Sequence, residues 1–259
     1  MIVGRQPTGT SAVLALAFCW ILTPVAHGQS VGFTESARVA KCMALARGDP
    51  DIGHKAALAW HADGGGSDAH HCAAVALLGL GQYSEAARIL RTLAEGAAAK
   101  GPEFKLELLS QSANAWLIAG KPMTAYEVQT EALEVRPDDI ELLIDRSISL
   151  ASSEKFWRAI DDLNRALDID PERVDALIFR ANAYRRLDTP ELAEEDIARA
   201  IAIAPHHPEA LLERGNIRHL KGDRDGARTD WLKVIETSPD TPVAAAARLN
   251  LDRMKFKPR

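Results

Sequence analysis

A spacing of 34 residues limits what this chain can fold into. Ala125, Ala159, Ala193 and Ala227 lie 34 apart, and so do Ala132, Ala166, Ala200 and Val234. Pro137, Pro171, Pro205 and Pro239 keep the same interval, as does a small-residue series of Ala113, Ser147, Ala181 and Gly215. Four registers held over four copies without a gap define a tandem array. A repeat of this length is one supersecondary unit, which buries its apolar face only against its neighbours.

Each unit reads as a helical hairpin. In the copy from Val174 to His207, Leu177, Ala181 and Tyr184 fall at i, i+4 and i+7, one face of a helix. Leu187-Asp188-Thr189-Pro190 stops that helix and starts another, because proline suits the first helical turn. Ala193, Ile197, Ala200 and Ile201 mark the second apolar face, and Pro205 ends it. The small residues sit where two helices cross and let the backbones approach. Glu107, Glu141, Asp175 and Glu209 open the first helices, where they oppose the positive end of the helix dipole. Aromatic residues are only 5% of the chain and the apolar share is mostly Ala and Leu, which favours helices over strands.

At these residues the chain resembles the tetratricopeptide repeat family. The period, the small-residue series, the alanine pair of each second helix and the terminal proline match its pattern. So do the turn glycines Gly120 and Gly222 and the turn aromatic Phe156. The resemblance covers four regular units over 106–240. It implies an all-α, right-handed α-solenoid of antiparallel hairpins, with Pro242 to Lys255 as a capping helix before a basic tail within 241–259. Residues 29–100 read as degenerate helical repeats. Asp68 to Ala94 makes a further unit, and an insertion of about five residues around Ala97 to Lys105 follows it. Ser36 to Trp60 threads as a last, irregular unit with Ala44 and Ala56 at the small sites.

The first 28 residues differ from the rest. Arg5 is their only charge, Ala12 to Leu22 is an unbroken apolar run, and Ala26-His27-Gly28 offers small residues where a signal peptidase reads. A secretory signal peptide cleaved between Gly28 and Gln29 is expected, which places the protein in the periplasm or outside the cell. A retained N-terminal anchor is the alternative, although the run is short of the ~20 residues of a bilayer span. No other segment is long and apolar enough to span a membrane.

Cys42 and Cys72 remain after cleavage. In an oxidising compartment an even pair usually bridges, and these two fall in the first helices of successive units. A disulfide is expected, with two buried thiols as the alternative. Arg146 and Asp162, Arg180 and Asp196, and Arg214 and Asp230 are each 16 apart at equivalent sites, while the preceding unit carries Ser112 and Val128 there. The charges come and go together, so they are expected to pair, within one hairpin or across neighbours. Independent solvated residues are the other reading. A partly exposed pair of this kind contributes only ~0–1 kcal/mol.

The net charge of −5 argues against a general nucleic-acid binder. His70-His71-Cys72, with His54 and His61 nearby, matches no zinc spacing, so no metal is implied. No nucleophile elbow, phosphate loop or His-Glu-x-x-His occurs, so neither catalysis nor a cofactor is implied.

The resemblance further implies that the first helices line a groove for extended or helical segments of other proteins. Its expected lining is Asn114 in the first regular unit, Ile144 and Ile148 in the second, Ile178, Asn182, Arg185 and Arg186 in the third, and Leu212 and Asn216 in the fourth. Repeated amides can both donate to and accept from a peptide backbone. Ser110, Ile144, Ile178 and Leu212 occupy the track where some family members carry basic residues for a terminal carboxylate, so that mode is not expected. The reading is a non-catalytic adaptor of the cell envelope. A self-associating structural subunit and a helper in the maturation of exported proteins are the alternatives.

Overall fold

The structure, a computed structural model, describes residues 28–255. The expected leader, apart from Gly28, and the basic tail after Lys255 lie outside the described residues. The helices run α1 (Gly28–Gly48), α2 (Pro50–Ala62), α3 (Gly66–Gly79), α4 (Tyr83–Glu95), α5 (Pro102–Ile118), α6 (Pro122–Val135), α7 (Ile140–Ser152), α8 (Phe156–Ile169), α9 (Val174–Arg186), α10 (Pro190–Ile203), α11 (Pro208–Leu220), α12 (Arg224–Thr237) and α13 (Pro242–Lys255). No strand occurs among the described residues. The helical unit described below starts at Val39, within α1.

Successive helices pack as hairpins, and α7, α9, α11 and α13 also touch one another side by side. The odd-numbered helices of this stretch therefore form one continuous layer. The alanines of the 34-residue registers are the contact points: Ala125, Ala159, Ala193 and Ala227 are fully buried. Leu109, Leu143 and Leu177 fill the space between hairpins and are at most 1% exposed.

The small-residue series varies with its partner. At Gly215 a Cβ would lie 2.5 Å from the Trp231 indole, so the bulk of Trp231 is accommodated by deleting the side chain opposite. Trp231 is 2% exposed and its indole N–H donates to the Leu212 carbonyl at 3.4 Å. In the preceding copies smaller side chains, Leu163 and Ile197, stand at the equivalent of Trp231, and Ser147 and Ala181 keep their Cβ.

The turns share one backbone conformation. Gly81, Gly120 and Gly222 have positive φ, and so do Glu154 and Asp188 at the same position of the two central units. A side chain with a Cβ is disfavoured there by roughly 1–2 kcal/mol.

Two expectations need correction at the N-terminal end. Ala44 is exposed and Ala56 only half-buried. The close crossing of α1 and α2 is made by Ala46 and Gly53, where a Cβ on Gly53 would sit 2.4 Å from the Ala46 Cα. The region is so rich in small residues that spacing alone did not select the right pair. The insertion is also partly helical: Ala97–Lys100 forms a 3-10 turn and α5 starts at Pro102, four residues before Leu106. Lys100 pairs with Asp68 and lies over the Phe104 ring, which ties the insertion to α3 and α5.

Cys42 and Cys72 are bridged, with Cα atoms 6.0 Å apart. The bond links α1 to α3 inside a small apolar cluster with Ala57, Trp60 and Ala76.

Candidate functional site

Hollows open along the layer of first helices. The largest, about 510 Å³, lies over α7, α9 and α11 and is lined by Ile148, Ile178, Phe179, Asn182, Leu212 and Glu213, with Asp175, His207 and Glu209 at its edge. A second, of about 380 Å³, lies over α5 and α7 against Ser110, Asn114, Leu117 and Asp145. A third, also about 380 Å³, runs from Glu107 past Arg136 to Glu141 and Asp145. The second and third share Ser110, Leu142 and Asp145, and all three lie along the first helices with apolar floors and acidic edges.

The expected groove residues divide by role. Ile148, Leu212 and Asn114 face the hollows, and Ile178 lines the largest one from a largely buried position. Ile144 is 4% exposed and belongs to the core, so its place in the lining is corrected. It stands at the boundary between the packed and open faces, where helical periodicity cannot decide.

Asn182 and Asn216 are engaged within the protein. The Asn182 amide donates to Glu213 Oε2 at 3.3 Å and the Asn216 amide to the same oxygen at 3.0 Å. Asn216 Oδ1 accepts from Asn250 at 2.8 Å. Arg185 Nε donates to Glu213 Oε1 at 2.5 Å, and the Glu213 side chain is 6% exposed. A buried carboxylate needs such partners, since an unpaired one is strongly disfavoured. The network therefore fixes α9, α11 and α13 relative to one another, and these amides are not standing free for a ligand backbone. Arg186 does not join Arg185 but stacks on the Phe156 ring at 5.2 Å, so the two do not form a basic cluster.

Sequence reading passed over Glu213, Phe179 and Asp145. With Gln111 they form a register of their own at 34-residue intervals, one place after Ser110, Ile144, Ile178 and Leu212. That adjacent register was the available signal. The Asp145 carboxylate has no ion-pair or hydrogen-bond partner among the described residues, while its backbone carbonyl accepts from Ser149 Oγ at 3.5 Å. The residue is exposed overall, and partial desolvation of its carboxyl, then the charges of Glu141 and Asp139, raise its pKa above the usual range.

Behind the groove the three Arg–Asp pairs connect the two helices of each hairpin. Arg146 donates from Nε and Nη2 to the Asp162 oxygens at 2.8 and 2.6 Å, and Arg180 does so to Asp196 at 2.7 and 2.7 Å. Arg214 reaches Asp230 at 3.0 and 2.6 Å. These carboxylates are at most 5% exposed, unlike the partly exposed pairs the sequence suggested. The bond to each carboxylate holds Arg146 and Arg180 above their ordinary range. Each also reaches back a unit: Arg146 Nη1 donates to Thr130 Oγ1 at 3.3 Å and Arg180 Nη1 to Asn164 Oδ1 at 2.7 Å. Ala198 stands at the next equivalent position, and there Arg218 joins Asp230 instead at 2.8 Å. Where the charges are missing, Ser112 donates to the Ala87 carbonyl at 2.8 Å.

The histidines near Cys72 separate. His61 and His70 stack with ring centroids 4.0 Å apart, while His71 is buried edge-on against Phe104. No group of three or more His, Cys, Asp or Glu is placed to hold a metal among the described residues. No described helix is long and apolar enough to cross a membrane.

A search of solved structures returns tetratricopeptide repeat proteins. One from Parabacteroides merdae aligns with a TM-score of 0.57 at 21% identity, covering 70% of this chain and 70% of that one. MamA from Desulfovibrio magneticus RS-1 aligns at 0.55 and 20% identity, covering 68% and 97%. YrrB aligns at 0.50 and 17% identity, covering 74% and 96%. The fold is a tetratricopeptide repeat solenoid. At these identities the likeness concerns the fold alone. No protein family matches the chain by sequence, and no curated protein matches it.

Proposed function

We propose that this tetratricopeptide repeat protein is an exported, non-catalytic scaffold whose groove holds segments of other proteins. The observation that carries the reading is the hollow over α7, α9 and α11, which joins an apolar floor of Ile148, Ile178, Phe179 and Leu212 to a polar wall. A floor of that kind stabilises a bound segment by removing apolar surface from water, about 25 cal/mol per Å². The polar wall sets orientation. The similar protein YrrB is described as having an unusual peptide-binding site, in keeping with such a role. Export rests on the N-terminal apolar run and the small residues before Gln29.

Site-directed photocross-linking tests the assignment. A photoreactive residue replaces Phe179, which is 38% exposed on α9, or Trp157, which is 61% exposed on α8. Cross-linking in envelope extract is expected to yield protein adducts from position 179 and not from 157. Adducts from 157 alone, or from neither position, would contradict groove binding. Mass spectrometry of the exported chain is expected to find Gln29 at its N-terminus.

A further inference from the structure

We infer that the hollow over α5 and α7 is a recognition pocket for a neutral carboxamide, the side chain of a Gln or Asn in a bound segment. This deepens the scaffold reading and rests on it. Three observations carry it.

The first is a polar pair in the core where two units meet. Gln129 on α6 and Ser149 on α7 are 2% and 0% exposed. In the other copies the place of Gln129 is taken by Leu163, Ile197 and Trp231, and that of Ser149 by Ala115, Ala183 and Ile217, all buried. The hairpin fold therefore needs no polar group at either place. Burying one is unfavourable unless it is hydrogen-bonded.

The second is that the pair leaves one group over. Ser149 Oγ donates to Gln129 Oε1 at 2.7 Å. With the amide reversed, the hydroxyl proton would have only the Asp145 backbone carbonyl, at 3.5 Å, so the Gln129 carbonyl belongs toward Ser149. The Gln129 N–H2 then has no acceptor among the described residues, and Gln129 lines the hollow of about 380 Å³. A donor in that state is completed by an acceptor from outside.

The third is what surrounds that donor. Ser149 Oγ touches both the Gln129 amide and the Asp145 backbone, which holds the two residues beside one hydroxyl. The Asp145 carboxylate lines the same hollow, as do Ser110 and Asn114, whose side chains have no hydrogen-bond partner among the described residues. The places of Ser110, Asn114 and Asp145 are taken by Ile144, Ile148 and Phe179 in the next unit, so this polar set belongs to one point of the array. A cation would satisfy Asp145 but face the Gln129 N–H2. An anion would satisfy Gln129 but face Asp145, and an apolar group would satisfy neither. A carboxamide carries an acceptor and two donors on one planar group. Its carbonyl takes the Gln129 N–H and its N–H2 donates to Asp145, while Leu109, Leu117 and Leu142 flank its aliphatic stem.

Nuclear magnetic resonance titration of the protein with four peptides tests the inference. It is read at the Gln129 side-chain N–H2 signal, assigned by its loss in Gln129→Leu. The peptides are acetyl-Ala-Leu-X-Leu-Ala-methylamide, with X as Gln, Lys, Glu or norleucine. The Gln peptide is expected to shift that signal saturably and to bind about tenfold more tightly than the other three. Its binding should not change with salt, since the recognised group is neutral. Asp145→Ala, at an exposed position, is expected to weaken the Gln peptide about tenfold and leave the norleucine peptide unchanged. Gln129→Leu with Ser149→Ala installs the residues of the following unit, Leu163 and Ala183. It is expected to abolish the preference for Gln and to keep or raise the thermal midpoint, because both polar partners are removed together. Equal binding of the four peptides, tighter binding of the Lys or Glu peptide, or a Gln peptide that binds without moving the Gln129 signal overturns the assignment. So does a double variant that keeps the preference or melts lower. In each of those cases the groove still takes segments. If no peptide binds, the assignment is overturned, and the scaffold reading falls with it only when position 179 also gives no adduct.

Discussion

Removing the Arg180 guanidinium tests whether the buried ion pairs set the geometry of the array. Asp196 is 4% exposed and takes both its strong hydrogen bonds from Arg180, at 2.7 and 2.7 Å. Arg180→Met keeps the length of the side chain and removes its charge. Asp196 is then left buried, with only the half-exposed Arg199 at 3.9 Å. Breaking a buried pair from one side costs about 3–5 kcal/mol, whereas replacing both partners by apolar side chains is close to neutral. Because Arg199 gives partial relief, about 3 kcal/mol is expected for Arg180→Met. Asp196→Leu should cost less, since Arg180 can turn its head to solvent and keeps Asn164. The double variant should be more stable than Arg180→Met alone. Urea unfolding followed by circular dichroism reads these differences as shifts of the midpoint, roughly 1–3 M for the single variant at a slope of 1–3 kcal/mol/M. A loss below about 1 kcal/mol for Arg180→Met, or a double variant whose loss is the sum of the singles, would refute the argument.

Three further outcomes are expected. Opening the Cys42–Cys72 bond, by reduction or by Cys72→Ser, frees a loop of sequence separation 30 and should cost about 3–4 kcal/mol, with α1 gaining amide exchange before α7 to α12 do. Glu154→Gly should raise stability by about 1 kcal/mol in chemical unfolding, because the residue holds φ 58° where the equivalent turns use glycine. His71 is buried, and burial lowers its pKa from 6.5 although Gln111, Glu107 and Asp68 oppose that. The unfolded chain therefore binds a proton that the folded chain does not, and stability falls as the pH drops below about 6.5. His70 acts in the same direction, through burial and the neighbouring His61. His71→Phe should flatten the stability profile between about pH 7 and 5, and an unchanged profile would count against this assignment.

The array was legible because its determinants are local and repeated. The alanine and proline registers fix hairpin length, and the 16-residue recurrence of Arg and Asp coincides with the observed pairs. How deeply Asp162, Asp196 and Asp230 are buried was not legible, since spacing carries no information about depth. Asn182 looked like a free groove amide because its partner Glu213 is 31 residues away on another helix, and only the stacking brings them together. Ala46 and Gly53, rather than Ala44 and Ala56, make the crossing in a region where small residues recur at nearly every turn. The left-handed turns at Glu154 and Asp188 were hidden for the opposite reason, because the residues present are not the ones that conformation favours. Local preference yields there to the packing of the hairpin.

The central claim is that the layer of first helices is the surface that meets other proteins. Amide hydrogen exchange of the protein alone and in complex with a segment captured by cross-linking at position 179 measures this residue by residue. Slowed exchange is expected in α5, α7, α9 and α11, with α8, α10 and α12 unchanged. Protection confined to the second helices, with the first helices unaltered, would contradict it.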